Sequence, residues 1–216
     1  MTGLHPDGPR SGPAALIAIG DFGAAITAAL RPRLQAVAWP ASELKAAFSG
    51  AAAAVVVAAW RQQQAVCEMA DQLAYRFSKP WLPVTMDHPR VRIGPVVVPG
   101  TGPCFGCFIA RRAQHDAHRT ATAALDRAYA DDPEAGPRGY LDHHVRLAAA
   151  LSELLLESLD QNPAGVAGLV VNFNVLQMGV RSHRVIPCSG CPKCRTTPGY
   201  RPGSYLETLH ARGREP

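Results

Sequence analysis

The segment ALIAIGDFG, residues 15–23, decides the fold that the sequence predicts. Its first part, residues 15–20, is an apolar run that predicts a short buried strand ending in a glycine turn. Residues 24–30 then have the apolar spacing of a helix that begins at this turn. A strand, a turn and a helix in this order are typical of the start of an α/β domain.

The next segments continue this alternation. Strands are predicted at residues 34–39, 51–60 and 82–87, and helices at residues 42–48, with Ser42 as N-cap, and 62–77. Strands that alternate with helices indicate a parallel sheet. Residues 91–100 predict a strand interrupted at Gly94-Pro95, which is expected to form an edge hairpin with the strand before it.

The second half of the chain is predicted to be helical and then to form a hairpin. Residues 107–130 and 141–159 have helical patterns, and residues 168–176 and 180–187 indicate two strands that lead into CSGCPKC. The sequence therefore predicts an α/β domain over residues 14–195, with a mainly parallel sheet and a C-terminal hairpin. Residues 1–13 are expected to be a disordered tail, and the basic residues 196–216 a flexible one.

The composition excludes several classes of protein. With 216 residues, 47% of them apolar, the chain can bury a sizeable core, which excludes fibrous and disordered proteins. It has no apolar run of the roughly 18 residues that a bilayer requires, so no membrane partner is expected. The N-terminal residues lack the parts of a secretory signal, which favours a cytoplasmic location. The net charge of +5 is only a weak indication of an anionic partner.

Five of the six cysteines form a pattern typical of a metal site. Cys104 and Cys107 make one Cys-x-x-Cys motif, and PCSGCPKC holds Cys188, Cys191 and Cys194. Two such knuckles supply four thiolates, the closed tetrahedral set that structural zinc prefers. The ion would join residues after the C-terminal hairpin to the loop after the fourth or fifth strand, and its binding would contribute folding free energy.

Five cysteines compete for four positions around this ion. The predicted zinc ligands are Cys104, Cys107, Cys191 and Cys194. Cys188 is a spare or an alternative ligand, and free thiols or disulfides are the alternatives to a metal. An iron–sulfur cluster also suits the triple motif, but the bacterial pattern has a fourth Cys before Pro where this chain has Thr197. Cys67, on the predicted helix 62–77, is expected to be a buried small apolar residue.

The segment AIGDFG, residues 18–23, departs from a nucleotide-binding loop. In the Gly-x-Gly-x-x-Gly pattern the glycines let main-chain amides approach a phosphate, and here Ala18 replaces the first of them. Asp21 would place a carboxylate beside those amides, and the strand 34–39 ends without an acid for a ribose hydroxyl. Gly20 and Gly23 are therefore expected to serve packing, and no ATP cofactor is expected.

Taken together, these motifs resemble a known family. The strand-turn-helix start, the segment GPVVVPGTGPCFGCF at residues 94–108, the long helix and the closing CPKC knuckle resemble the ThiF/MoeB-like proteins of the ubiquitin-activating type, which have a Rossmann-like domain. They are most similar to the ThiF-like partner proteins of azoline-forming YcaO cyclodehydratases, often called leader-peptide-binding proteins. The resemblance covers residues 14–195, and residues 94–107 are its most specific part.

The resemblance implies a noncatalytic scaffold that holds or activates a YcaO-type cyclodehydratase in the biosynthesis of thiazole- and oxazole-modified ribosomal peptides such as bacteriocins. Adenylating members have a full glycine loop and a magnesium-binding Asp after the central strand, where this chain has Trp60-Arg61. Leader-peptide-binding members usually begin with a winged-helix element, for which residues 1–13 are too few. Capture of the precursor peptide is therefore expected to fall to another chain or to a reduced site here. Related folds often dimerise, so a homodimer is also expected.

Two other functions stay open at this point. The first is an ATP-dependent adenylyltransferase of the ThiF/MoeB type that acts on the C-terminus of a carrier protein. The second is a zinc-stabilised nucleic-acid binder, which rests on the basic charge and the knuckles alone. The chain lacks interleaved aromatic residues and a recognition-helix pattern, so no nucleic-acid partner is expected.

Several other polar side chains are candidates with two interpretations each. Arg111-Arg112 could bind an acidic peptide or cover the metal loop, and Asp87-His88 could lie at a site after a strand or in a turn. The histidine pairs are expected on polar helix faces rather than as metal ligands or acid/base groups. These pairs are His115 with His118 and His143 with His144.

Overall fold

The computed structural model describes residues 12–132, 134–177 and 179–195, so the predictions for residues 1–11 and 196–216 lie outside the described residues. Within the described part, a seven-stranded sheet has the order β2-β1-β3-β4-β5-β6-β7. Its strands are β1 (Ala14–Ile19), β2 (Val37–Trp39), β3 (Ala54–Ala59), β4 (Trp81–Asp87), β5 (Arg90–Ile93), β6 (Leu169–Asn174) and β7 (Val180–Arg184).

Helices connect these strands and cover both faces of the sheet. They are α1 (Gly20–Leu34), α2 (Leu44–Ser49), α3 (Gln64–Arg76), α4 (Phe105–Gln114), α5 (Arg119–Asp131), α6 (Asp142–Gln161), α7 (Pro163–Val166) and α8 (Pro192–Arg195). No helix in the described ranges is both long enough and apolar enough to cross a membrane.

The sheet has a parallel half and an antiparallel half. β2, β1, β3 and β4 pair in parallel, as the alternation of strands and helices predicts. β4, β5, β6 and β7 pair in antiparallel fashion, and the last two form the predicted hairpin. The α/β prediction is therefore confirmed in its coarse form, but a mainly parallel sheet is wrong, because three of the six strand pairings are antiparallel.

The predicted hairpin forms, but it lies inside the sheet and not at its edge. β4 and β5 do form an antiparallel hairpin, but β6 pairs with the other side of β5 and places it inside the sheet. Val91 and Ile93 are accordingly fully buried. The partner strand comes from a segment about eighty residues later, which a local sequence pattern cannot indicate.

Two apolar cores fill the space between the sheet and the helices. One joins the sheet to α1 and α6, and its large side chains include Phe22, Leu82 and Phe173. The other joins the opposite face to α2, α3 and α4, and it contains Trp81 and Phe105. The all-apolar β3 lies between these layers with every residue buried, as expected for a strand that is covered on both faces.

Local boundaries differ from the predictions at three places. The glycine turn at residues 20–23 is the first turn of α1, which begins at Gly20 directly after β1. Ser42 lies within a short 3₁₀ helix, Ala41–Glu43, and α2 begins after it, so Ser42 is not an N-cap. The single helix predicted at residues 107–130 is divided into α4 and α5 by a link at residues 115–118.

Candidate functional site

The cysteines of the two motifs lie at the beginnings of two helices. Cys104 directly precedes α4, and Cys107 lies in its first turn. Cys191 directly precedes α8, and Cys194 lies within it. A spacing of three residues at a helix start brings both sulfurs of a pair to the same side, because residues i and i+3 are neighbours on a helix. These four residues are called the four-cysteine cluster below.

The sulfur atoms of the four-cysteine cluster all lie within 4.8 Å of one another. The Cys104–Cys107 and Cys104–Cys191 sulfurs are 3.7 Å apart, and the Cys107–Cys194 sulfurs 3.6 Å. A disulfide needs about 2.05 Å. Around one zinc ion, Zn–S bonds of about 2.3 Å place tetrahedral ligands about 3.8 Å apart. The sulfur positions thus fit one shared metal ion and not two disulfides.

Main-chain amides and neighbouring thiols donate hydrogen bonds to the sulfurs of the four-cysteine cluster. The amide of Cys104 donates to the Cys194 sulfur at 3.2 Å, and the amide of Cys188 donates to the Cys107 sulfur at 3.3 Å. Hydrogen bonds with the Cys104 and Cys194 thiols lower the pKa of Cys107 to about 3. Such donors stabilise thiolates, the form that binds a metal. The structure therefore places Cys188 beside the cluster as an amide donor, with its own sulfur 3.8 Å from the Cys107 carbonyl oxygen.

A buried carboxylate connects the cluster to the core. Asp71 on α3 accepts a hydrogen bond from the Phe105 amide at 2.9 Å and pairs with the Lys193 ammonium group. Asp71 is only 2% exposed, and burial raises its pKa, an effect that Lys193 and the Phe105 amide oppose. Tyr75, one helical turn later on α3, has its hydroxyl 4.0 Å from the Cys194 sulfur. α3 thus holds both knuckles in place from one side.

We expect Asp71→Ala to lower the free energy of unfolding by about 2 kcal/mol, because it leaves the buried Phe105 amide without its acceptor. Asp71→Asn retains an acceptor oxygen and should cost about half as much. Urea denaturation of the two variants at equal metal loading measures both values. Equal losses would mean that the hydrogen bond to Phe105 contributes nothing to stability.

The glycines of the first turn of α1 are required by close packing. Gly20 has φ +68, and a Cβ there would come closer than 3.0 Å to the Trp60 ring. A Cβ on Gly23 would come closer than 3.0 Å to the Ala58 carbonyl oxygen on β3. β1 and β3 are the strands between which the chain order reverses, where ligands of open α/β sheets bind. Here Trp60 covers the glycine at that point.

A cavity of about 500 Å³, the Gly20 cavity, lies beside this contact. Its lining includes Asp21 and Phe22 at the start of α1, His88 after β4, and Tyr140 before α6. The guanidinium of Arg138 lies 4.9 Å from the centre of the Trp60 ring, and that of Arg61 5.2 Å. The cavity thus has an aromatic wall that two arginines contact, and it has a carboxylate, that of Asp21, where a phosphate-binding loop presents free amides.

Cys67 and the histidine pairs lie apart from the four-cysteine cluster, and their surroundings differ. Cys67 is buried, and burial raises the pKa of its thiol to about 12, in agreement with the prediction of a small apolar residue. His144 is also buried and accepts a hydrogen bond from the Leu141 amide, so a polar face was the wrong expectation for it. His115 and His118 lie in the link between α4 and α5 and not on one helix turn.

Arg111 and Arg112 have different surroundings. Arg111 donates to the carbonyl oxygens of Ile186 and Pro187, and so covers the segment before Cys188. Arg112 lies 3.7 Å from the Asp87 carboxylate, and both residues line a second cavity. The covering role therefore fits Arg111, and the binding of an acidic peptide stays a prediction.

No family model matches the chain, and no curated protein matches its sequence. Solved structures do match. A structure of the heterocyclase TruD has a TM-score of 0.62 and 22% identity over 96% of this chain. The E. coli microcin synthetase McbBCD complex has a TM-score of 0.61 at 11% identity, over 88% of this chain and 71% of that chain. E. coli MccB with ATP has a TM-score of 0.59 at 12% identity, over 87% and 68% of the two chains. This chain spans 30% of the length of the TruD chain. At these identities the likeness is one of fold.

Proposed function

We propose that this chain is a noncatalytic scaffold or activator subunit of a YcaO-type cyclodehydratase, and that it has a part in binding the precursor of a thiazole- or oxazole-modified peptide. The observation that carries the proposal is the likeness of its fold to the heterocyclase TruD and to the microcin synthetase McbBCD complex. The resemblance of residues 94–107 to leader-peptide-binding proteins supports the same function.

The packing at Gly20 supports the noncatalytic part of the proposal. A nucleotide phosphate needs free main-chain amides at a helix start, with space for its oxygens above the glycines. Trp60 takes up the space that a Cβ on Gly20 would need, so this glycine serves packing, and the Asp21 carboxylate repels a phosphate. The cyclodehydratase partner would then supply the ATP chemistry.

In this function the four-cysteine cluster holds a structural zinc ion. Cys104, Cys107, Cys191 and Cys194 would bind it, and four protein ligands leave no open position for a substrate. The ion would fasten the chain after β7 to the start of α4. Its contribution is therefore to the shape of the antiparallel half and not to a chemical step.

The second candidate function is an ATP-dependent adenylyltransferase that acts on a carrier-protein C-terminus. Two observations favour it: the Gly20 cavity of about 500 Å³ lies at the strand ends, and E. coli MccB, solved with ATP, has a similar fold. A cavity of this volume lies within the range of small-molecule sites.

Reconstitution tests the first proposal. We expect azoline formation by a purified YcaO partner on its precursor peptide to fall about tenfold or more when this chain is omitted, a range typical of coupling between protein sites. Loss of water from the precursor, measured by mass spectrometry, reports each ring formed. The two proteins should also co-purify. Full cyclisation without this chain would contradict the proposal.

ATP–pyrophosphate exchange separates the two candidates. A scaffold gives no exchange above the protein-free blank, with or without a carrier protein. Exchange that depends on this chain alone would establish the adenylyltransferase instead. The exchange assay needs no partner, so its result does not depend on how well the reconstitution works.

A further inference from the structure

A second cavity, of about 800 Å³, lies over the antiparallel half of the sheet, and among the described residues it shares none of its lining with the Gly20 cavity. β5, β6 and β7 contribute residues to its lining, as do α4 and the link at residues 115–118. None of the four clustered cysteines lines it. We call it the basic cavity.

The lining of the basic cavity carries an excess of positive charge. Of the described residues, five arginines, three histidines and two aspartates line it. The arginines are Arg90, Arg92, Arg111, Arg112 and Arg184, the histidines His115, His118 and His183, and the aspartates Asp87 and Asp116. A lining of one sign attracts ligands of the opposite sign, because low-dielectric walls concentrate the field.

Within residues 12–195, apart from the two that the structure does not describe, the hydrogen bonds of these arginines leave most of this charge uncompensated. Arg111 donates to main-chain carbonyl oxygens, and Arg184 does the same at Gly165 and Ala167. Carbonyl oxygens are neutral, so such bonds hold a guanidinium in place without cancelling its charge. Among the lining aspartates, Asp87 forms an ion pair, with Arg112 at 3.7 Å.

Arg92 is the strongest single indication of a ligand. It is 4% exposed, and its Nε has no hydrogen-bond acceptor within the described part of the chain. Its terminal nitrogens donate to the Gly94 carbonyl oxygen and to the Gln62 side chain, and the guanidinium lies 4.8 Å from the centre of the Phe108 ring. A buried donor without an acceptor is costly unless a ligand supplies one. Burial and the charge of Arg92 also lower the pKa of the neighbouring His183.

The edge of the sheet beside the cavity indicates the kind of ligand. Within the described part of the chain, β7 is the last strand in the sheet order, and four of its five residues are exposed. His183 and Arg184 of this strand line the cavity. The outer side of an edge strand presents free amides and carbonyls to an extended chain, which can add as a further strand. A peptide could therefore bind the edge and direct its side chains into the cavity.

We infer that the basic cavity binds an acidic segment of a peptide, whose side-chain carboxylates pair with Arg92 inside and with Arg90 and Arg112 at the mouth. Arginine suits carboxylates because its planar fork gives two parallel hydrogen bonds. A nucleotide is a poorer match, since the aromatic ring in the lining, Phe108, is buried and already faces Arg92. The inference rests on the proposed function in so far as that function supplies a peptide as the ligand.

The test is fluorescence anisotropy of a short labelled peptide rich in Asp and Glu, with the full chain and no partner enzyme. We expect binding that weakens as salt rises, and no binding of the same peptide with Asn and Gln in place of the acids. Arg92→Met should weaken binding about a hundredfold, and Arg90→Gln with Arg112→Gln about tenfold. The double variant alters exposed side chains, so it stays informative if Arg92→Met fails to fold.

The matched control is Arg31→Gln with Arg146→Gln, which removes two exposed positive charges outside the cavity. Its binding should stay within about twofold of the parent chain. Equal weakening in the two double variants would reduce the effect to net charge and overturn the inference. Displacement of the peptide by equimolar ATP or pyrophosphate would assign the cavity to phosphates instead. Absence of peptide binding, with cyclisation in the reconstituted system intact, would overturn this inference and leave the proposed function standing.

Discussion

Cys194→Ser is expected to abolish stoichiometric zinc binding and to lower the free energy of unfolding by about 4 kcal/mol, in the range of mutations that remove a metal. The Cys194 sulfur lies 3.6 Å from the Cys107 sulfur and accepts the Cys104 amide, and the residue is 2% exposed. Its loss would leave three possible ligands for the ion, in a cluster that is largely buried from water. Elemental analysis of untagged protein measures the metal, and urea denaturation measures the stability.

Cys188→Ser is the matched control for this variant. The substitution is the same, but the Cys188 sulfur is not one of the four that lie within 4.8 Å of one another. It contributes its amide to Cys107, and a serine retains that amide. We expect one zinc ion per chain and a change in stability below about 1 kcal/mol. A full complement of metal in Cys194→Ser, or its loss in Cys188→Ser, would refute the ligand assignment.

Gly23→Ala should lower the free energy of unfolding by about 3 kcal/mol, at the upper end of the cost of overpacking. The added methyl group would come closer than 3.0 Å to the Ala58 carbonyl oxygen. That oxygen belongs to the main chain of β3, which is buried throughout and paired on both sides, so it cannot move away as a flexible side chain could. Thermal and urea denaturation both report the loss.

Gly106→Ala makes the same change in another helix and should have the opposite sign. A Cβ at Gly106 would have the Cys104 sulfur at 3.6 Å as its nearest neighbour, an ordinary contact. Alanine in a helix is favoured over glycine by about 1 kcal/mol, so a stability gain of up to that amount is expected. If both variants lose stability equally, the close approach of α1 to β3 is not what requires Gly23.

The cysteine pattern could be predicted because its chemistry is local. Each Cys-x-x-Cys motif brings two sulfurs together within one turn, so the spacing alone indicates two halves of a site. The choice between Cys188 and Cys191 was harder, because both lie three residues from another cysteine. The start of α8 distinguishes them, since it places Cys191 and Cys194 toward α4.

The antiparallel half and the basic cavity could not be predicted in the same way. β5 finds its second partner in β6, which follows four intervening helices, and no local pattern carries that pairing. The cavity takes its arginines from β5, α4 and β7, which lie far apart in the chain. The sequence does contain one signal of the cavity. Arg90 and Arg92 are two residues apart in a strand, so their side chains point to the same side of the sheet.

The distance between the two knuckles along the chain affects how the protein is made. Cys107 and Cys194 are 87 residues apart, and ribosomes synthesise chains from the N-terminus. At about 5–20 residues per second, the first thiol pair waits on the order of ten seconds for the second. Throughout that interval the nascent chain can assemble β1 to β4, but it holds only two of the four sulfurs of the site, and these two are free to react. A reducing medium that also supplies zinc would keep Cys104 and Cys107 as thiols until Cys191 and Cys194 are synthesised and the four can bind one ion.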